Sequence, residues 1–236
     1  PVLLMSGAIL SPTQKALMDE LRTAVASLLH ASWEPVAPLT EIAALRELYG
    51  KAAVCAPHLD RAEVVLSLQA DFLGTETNAP IFVRDFAVRR TIASPSDAMN
   101  RLWVLEGCMS LTGANADQRL QVRPSKMASV AFALARLLHE SHSIALPPGI
   151  SAADLRAFDP AALADSLGLD PSLLKVLAAD LARARKAVLV MAGPALPPEA
   201  HVACQLLNLM LEAEENTLDF FPVPESPPLL SFTELG

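Results

Sequence analysis

The chain has little positive charge and almost no cysteine. Lys and Arg number 18 against 26 Asp and Glu, giving a formal net charge of -8. Binding to a phosphate backbone needs a basic footprint, so nucleic acid is not an expected partner. The one local basic cluster, Arg84, Arg89 and Arg90, reads as a solvated helix face or, less simply, as an anion site. The three cysteines, Cys55, Cys108 and Cys204, are far apart and form no C-x-x-C, so the chain offers no zinc or iron–sulfur motif and no disulfide scaffold. No apolar run approaches the roughly 18 residues that a membrane helix requires, so no direct membrane span is expected. The richest stretch, Ser129 to Leu138, is short and reads as a core helix. Phosphate-binding fingerprints of the form G-x-G-x-x-G or G-x-x-x-x-G-K-[ST] are missing, as is the G-x-S-x-G of a nucleophile elbow. There is no internal repeat. The chain opens on Pro1 and an apolar strand without a signal-peptide pattern, which suggests a processed or excised piece.

What it has in quantity is apolar residues, 52% of the total against 19% charged. Disorder is excluded, and a large core is expected, with apolar surface left over for a partner. Short apolar runs alternate with helical patterns. Val2–Met5, Glu63–Leu68, Leu102–Leu105, Leu120–Val122 and Ala187–Met191 read as strands, with another near Trp33 to Val36. Helices are expected from Pro12, capped by Ser11 and continuing the apolar spacing of Leu17, Met18, Leu21, Val25, Leu28 and Leu29. Others are expected over Thr40–Leu48, Phe82–Arg90, Ser125–His139 and the segment from Val202 to Leu211. Ser151, Asp159-Pro160 and Asp170-Pro171 mark further helix starts, with Gly168 a C-cap. The strands lack in/out alternation. That pattern predicts an α/β fold of three-layer, Rossmann-like form: a mostly parallel sheet with helices on both faces. The domain is read as 1–221, with a possible division into lobes 1–146 and 147–221. The proline-rich stretch from Phe221 and across 222–236 reads as an extended tail or linker.

In open α/β sheets ligands bind beyond the carboxyl ends of the strands. Four such ends stand out: Ser6-Gly7, Asp71 to Thr75, Glu106 to Thr112, and Gly193-Pro194. Asp71 and Glu106 can each accept hydrogen bonds from a ribose or purine edge, or can cap the structure that follows. His139 and His142 share a helix face and can begin a metal site, although no third ligand is apparent and a helix C-terminus favours histidine anyway. Glu212, Glu214 and Glu215 read as a solvated acidic run at a helix end.

Several segments resemble one family. The stretch A-E-V-V-L-S-L-Q-A-D-F-L-G from Ala62 to Gly74 is similar to the strand and loop of molybdopterin oxidoreductases. The likeness is greatest to their relatives in alternative complex III and other quinone-linked membrane complexes. It continues through Arg84 to Arg90, Met99 to Glu106, and Leu111 to Ser125, where a threonine, then Ala116-Asp117, precede a strand ending in Arg123-Pro124. Ala187 to Asn208, with Gly193 and His201, also fits. The resemblance implies that these loops hold molybdopterin guanine dinucleotide, with Asp71, Thr75, Glu106, Thr112, Arg123 and Ser125 as cofactor-binding candidates. Two departures stand against a working site. No acid follows Arg123-Pro124, and the family's cysteine-rich iron–sulfur segment is missing. The resemblance therefore implies a structural domain, with no cofactor in this chain, inside a respiratory electron-transfer complex. Its partners would be iron–sulfur and membrane subunits, and its location the periplasmic face of a bacterial inner membrane. Part of an active oxidoreductase, or a generic Rossmann-like nucleotide module such as the central domain of thiamine-diphosphate enzymes, are the alternatives.

Overall fold

A computed structural model describes residues 2–7, 9, 11–33, 39–50, 52–76 and 78–222. In chain order the elements are β1 (Val2–Ser6), α1 (Pro12–Ala24), β2 (Leu28–Ser32), α2 (Leu39–Tyr49), β3 (Ala53–Pro57), β4 (Val64–Leu68), α3 (Ala79–Val88), β5 (Arg101–Glu106), α4 (Leu111–Ala114) and β6 (Gln118–Gln121). A 3-10 turn over Pro124–Lys126 leads into α5 (Met127–His142). Then come α6 (Pro160–Leu167), α7 (Pro171–Arg183), β7 (Val188–Ala192), α8 (Pro198–Met210) and β8 (Leu218–Pro222).

The central sheet has the order β6-β5-β4-β7, and all of its pairings are parallel. This is the α/β architecture that the unalternating strands predict. β4 is buried along its whole length. Its Val64, Leu66 and Leu68 face one core, with Trp103, Leu105, Val188 and Val190 from neighbouring strands and the inner faces of α5, α7 and α8. Val65 points the other way, into a second core with Leu102, Val104, Leu189 and the α3 residues Phe82 and Phe86. A side chain such as Leu66, wholly withdrawn from water, contributes about 1.5–3 kcal/mol. At the amino ends of the strands the buried Asp180 of α7 accepts from Arg101 (2.7 Å), from Trp103 Nε1 (3.0 Å) and from Arg183 (3.1 Å). A buried indole N–H needs such a partner, so this carboxylate fixes α7 against β5.

The helix starts follow local chemistry. Ser11, Asp159 and Asp170 each accept a backbone N–H of the first turn, with proline next. Gly168 closes α6 at φ +67°, a left-handed position where a side chain is costly.

The structure departs from the sequence reading in five places. Leu28 and Leu29 belong to β2, parallel to β1, and not to a lengthened α1. The strand sought near Trp33 to Val36 lies earlier, at Leu28–Ser32; residues 34–38 are outside the described residues. Ser151 opens a run of turns in which its N–H and hydroxyl donate to Asp154, and no helix follows until Pro160. Phe221 and Pro222, read as linker, end β8, which pairs antiparallel with β3; residues 223–236 are outside the described residues. Ala53–Pro57, given no element from sequence, forms β3. The acidic run is solvated as expected, with Glu214 and Glu215 exposed and Glu212 ion-paired to Arg185 and Lys186 at the surface. The loose end is β1–α1–β2. No residue of α1 is buried, and Leu3, Met5, Leu17 and Leu29 are all more than half exposed.

Candidate functional site

The loops after β4, β5 and β6 enclose an open cleft of about 1000 Å³, overhung by residues 166–169 at the α6–α7 joint. Asp71, Thr75, Glu106 and Arg123 all line it. Thr112 lies buried beneath, and Ser125 stands exposed on the 3-10 turn outside the lining. Four of the six candidates therefore meet in one cleft, one supports it, and one stays apart.

Asp71 holds two loops together. Its Oδ1 accepts both the backbone N–H (3.0 Å) and the hydroxyl (2.9 Å) of Thr112, while Oδ2 accepts the Thr75 N–H at 3.1 Å. The Thr112 hydroxyl oxygen in turn accepts the Leu73 N–H at 3.0 Å. Burial pushes the Asp71 carboxyl up, but the hydrogen bonds from Thr112 and Thr75 outweigh it and hold the group below the usual carboxylate range. Glu76, half-buried, moves the other way, raised by burial and by the negative charges of Asp71 and Glu41.

Glu106 is buried and fully engaged. Its carboxylate accepts the Ser110 hydroxyl at 2.6 Å, the Ser110 N–H at 3.2 Å and Arg119 Nε at 2.6 Å. The Ser110 hydroxyl oxygen caps α4 through the Gly113 N–H. Gly113 has to be glycine, because a Cβ there would overlap Glu106 Oε1. Glu106 therefore organises the β5 loop around itself.

Arg123 is exposed and makes no hydrogen bond or ion pair to a side chain among the described residues, so it is the cation the cleft has to offer. Gln69, Cys108, Ser110, Gln121 and Ser166 complete the polar lining; Cys108 and Ser110 fall within the Glu106 to Thr112 strand end singled out from sequence, and the other three were not expected. Cys108 is an exposed thiol; burial pushes the thiols of Cys55 and Cys204 well up, so neither is a ready thiolate. Arg119 was also not foreseen, because it reaches Glu106 by strand pairing and not by sequence spacing.

The other candidates are accounted for structurally. His139 Nδ1 contacts the Ile144 carbonyl at 2.9 Å, and His142 is exposed. Among the described residues no three His, Cys, Asp or Glu side chains are grouped to hold a metal. Arg84 pairs with Asp85, and Arg90 forks onto Asp117. His201 is buried at the start of α8, 3.3 Å from the Thr40 hydroxyl, and desolvation lowers its pKa.

The class defined by fold and cleft is thus a Rossmann-like α/β domain with its cleft at the carboxyl ends of a parallel sheet. No protein-family model matches the chain, and no curated protein matches it. Among solved structures it is similar to acetylene hydratase from Pelobacter acetylenicus, at 12% identity and a TM-score of 0.65. The match covers 80% of this chain and 26% of that one, so the chain spans about a quarter of the neighbour's length. At that identity the likeness is one of fold.

Proposed function

We propose that this chain is a molybdopterin oxidoreductase-like α/β domain that serves as a structural part of a respiratory electron-transfer complex, without redox chemistry of its own. The sequence resemblance points to the family, and the fold is shared with a segment of acetylene hydratase. The observation that carries the structural reading is the commitment of Asp71 and Glu106. The two acids that would meet the guanosine end of a molybdopterin guanine dinucleotide have their oxygens taken up by the chain itself, Asp71 by Thr75 and by Thr112 of the neighbouring loop, Glu106 by Ser110 and by Arg119 of β6. Held in this way, the two acids do not fit that role. The partners of such a domain are iron–sulfur and membrane subunits, and its place is the periplasmic face of the inner membrane.

The test is metal and pterin analysis of the protein purified from cells supplied with molybdenum. The structural reading expects neither; stoichiometric molybdenum and pterin would refute it. A second reading is favoured by the cleft itself, where Arg123 faces open space: the cleft holds a nucleotide-type ligand that braces the loops without reacting.

A further inference from the structure

Among the described residues, the hydrogen bonds of the β1–α1–β2 unit run only within Val2–Trp33. By register Leu4 stands beside His30 and Val2 beside Leu28, so these share one face of the strand pair, while Leu3, Met5, Leu29 and Ala31 share the other. Apart from Val2 at its start, the first face is half-buried; Leu3, Met5 and Leu29 on the second are exposed. Arg22 of α1 reaches His30, so α1 lies over the first face. No residue of α1 is buried, so apolar packing holds the helix weakly and its polar contact at His30 matters the more.

His30 sits in a chain of hydrogen bonds whose direction is fixed. Arg22 Nη2 lies 3.3 Å from Nδ1, and a guanidinium can only donate, so Nδ1 is the bare nitrogen and the ring proton is on Nε2. Nε2 then donates to Ser6 Oγ at 2.8 Å, and the Ser6 hydroxyl donates to the Gly7 carbonyl at 2.8 Å. With its proton in place Nε2 is no base for Ser6, so the two do not form a nucleophile and its activator. The neutral ring satisfies every link. A second proton would have to go on Nδ1, facing the guanidinium.

We propose that His30 is an acid-sensitive latch: neutral, it holds α1 over the strand pair through Arg22; protonated, it repels Arg22 and lets α1 lift from Leu4 and Leu28. The charges around it are few. β1 has no ionisable side chain and β2 has only His30. Of Lys15, Asp19, Glu20 and Arg22 on α1, Arg22 touches the ring, and Asp19 stands 3.8 Å from Arg22. Burial and the Arg22 charge both lower the His30 pKa. A group lowered in this way supports the fold above its unfolded value near 6.5 and gives up that support as pH falls below it. The strand pair, already bare at Leu3, Met5 and Leu29, would then be open on both faces, a state that parallel strands in stable folds avoid. This inference is independent of the cleft and of the function proposed above.

The experiment is amide hydrogen exchange of the whole chain at about pH 8 and about pH 5, where carboxylates stay ionised, with each rate divided by that of the unfolded chain at the same pH. Protection of α1, taken relative to the core helix α5, is expected to fall roughly two- to fivefold at the lower pH, the worth of one exposed charge contact. His30→Gln offers Arg22 an acceptor that does not titrate, so its α1 protection should be the same at both pH values. Arg22→Gln keeps a donor without the charge and should also abolish the fall; it serves if His30→Gln does not fold. Nitrogen-15 spectra of the parent at about pH 8 should show His30 as the Nε2–H tautomer. No fall in the parent, the same fall in either variant, or an Nδ1–H tautomer would overturn the latch.

Discussion

The fit between Glu106 and Gly113 can be measured with a double-mutant cycle. Gly113→Ala inserts a methyl group where Glu106 Oε1 already sits, and Glu106 cannot swing aside because Ser110 and Arg119 hold it. Overpacking of this kind costs about 1–3 kcal/mol. Glu106→Ala removes a buried carboxylate from an ion pair. Such losses cost about 3–5 kcal/mol when the partner is left buried and uncompensated. Arg119 keeps 24% exposure and recovers some hydration, so a cost at the lower end, about 3 kcal/mol, is expected. In the double variant the colliding oxygens are gone, and the alanine methyl enters the vacated space. Its cost should then fall below the sum of the single variants by about 1–2 kcal/mol, well outside the roughly 0.3–0.5 kcal/mol within which independent sites add. Urea unfolding reads this as midpoint shifts at unchanged slope. Heating reads it at about 2–4 °C per kcal/mol for a chain of this size. Strict additivity would refute the reasoning. So would a Glu106→Ala variant as stable as the parent, since that would leave Glu106 free to serve a ligand.

Two further predictions concern pH. His201 is buried with its pKa lowered, so the unfolded chain binds the proton more readily. Its contribution is intact above the unfolded value near 6.5 and is lost as pH falls below it, so His201→Gln should flatten the stability curve below about pH 6.5; an unchanged slope would refute this. Glu76 is raised by burial and by Asp71 and Glu41, so the fold prefers its neutral form and loses stability as pH rises. Glu76→Gln should therefore melt above the parent at pH 7–8, with the gain vanishing below about pH 4; equal melting at pH 8 would refute it.

The parts legible from sequence were those governed by neighbouring residues or by burial on two sides. β4, β5 and β7 announce themselves as unbroken apolar runs because both their faces are covered, and Ser11, Asp159 and Asp170 cap helices with atoms two or three residues away. β3 and β8 were not seen, since Ala53–Pro57 and Leu218–Pro222 are strands by virtue of each other. Leu28 and Leu29 continued the helical spacing of α1 without a break, and only the pairing with β1 makes them strand. In the cleft, position was legible and role was not. Sequence placed Asp71 and Glu106 at strand ends, yet whether each faces a ligand or its own loop depends on Thr112 and Arg119, which are brought in by the fold. Gln69, a cleft-lining residue at φ +55°, carried no signal, because nothing in a sequence marks a non-glycine left-handed residue.

The pairing of β3 with β8 sets a schedule for biosynthesis. His58 and Asp219, which meet at 2.8 Å beside this pair, are 161 residues apart. At the usual elongation rates, β3 leaves the ribosome roughly 8 to 30 s before its partner strand. Through that interval the flank of the second core that Leu218 will cover stays open to water, long after β4 and β5 have emerged. The nascent chain thus spends its longest wait with an unmatched edge, the state that holdase chaperones recognise.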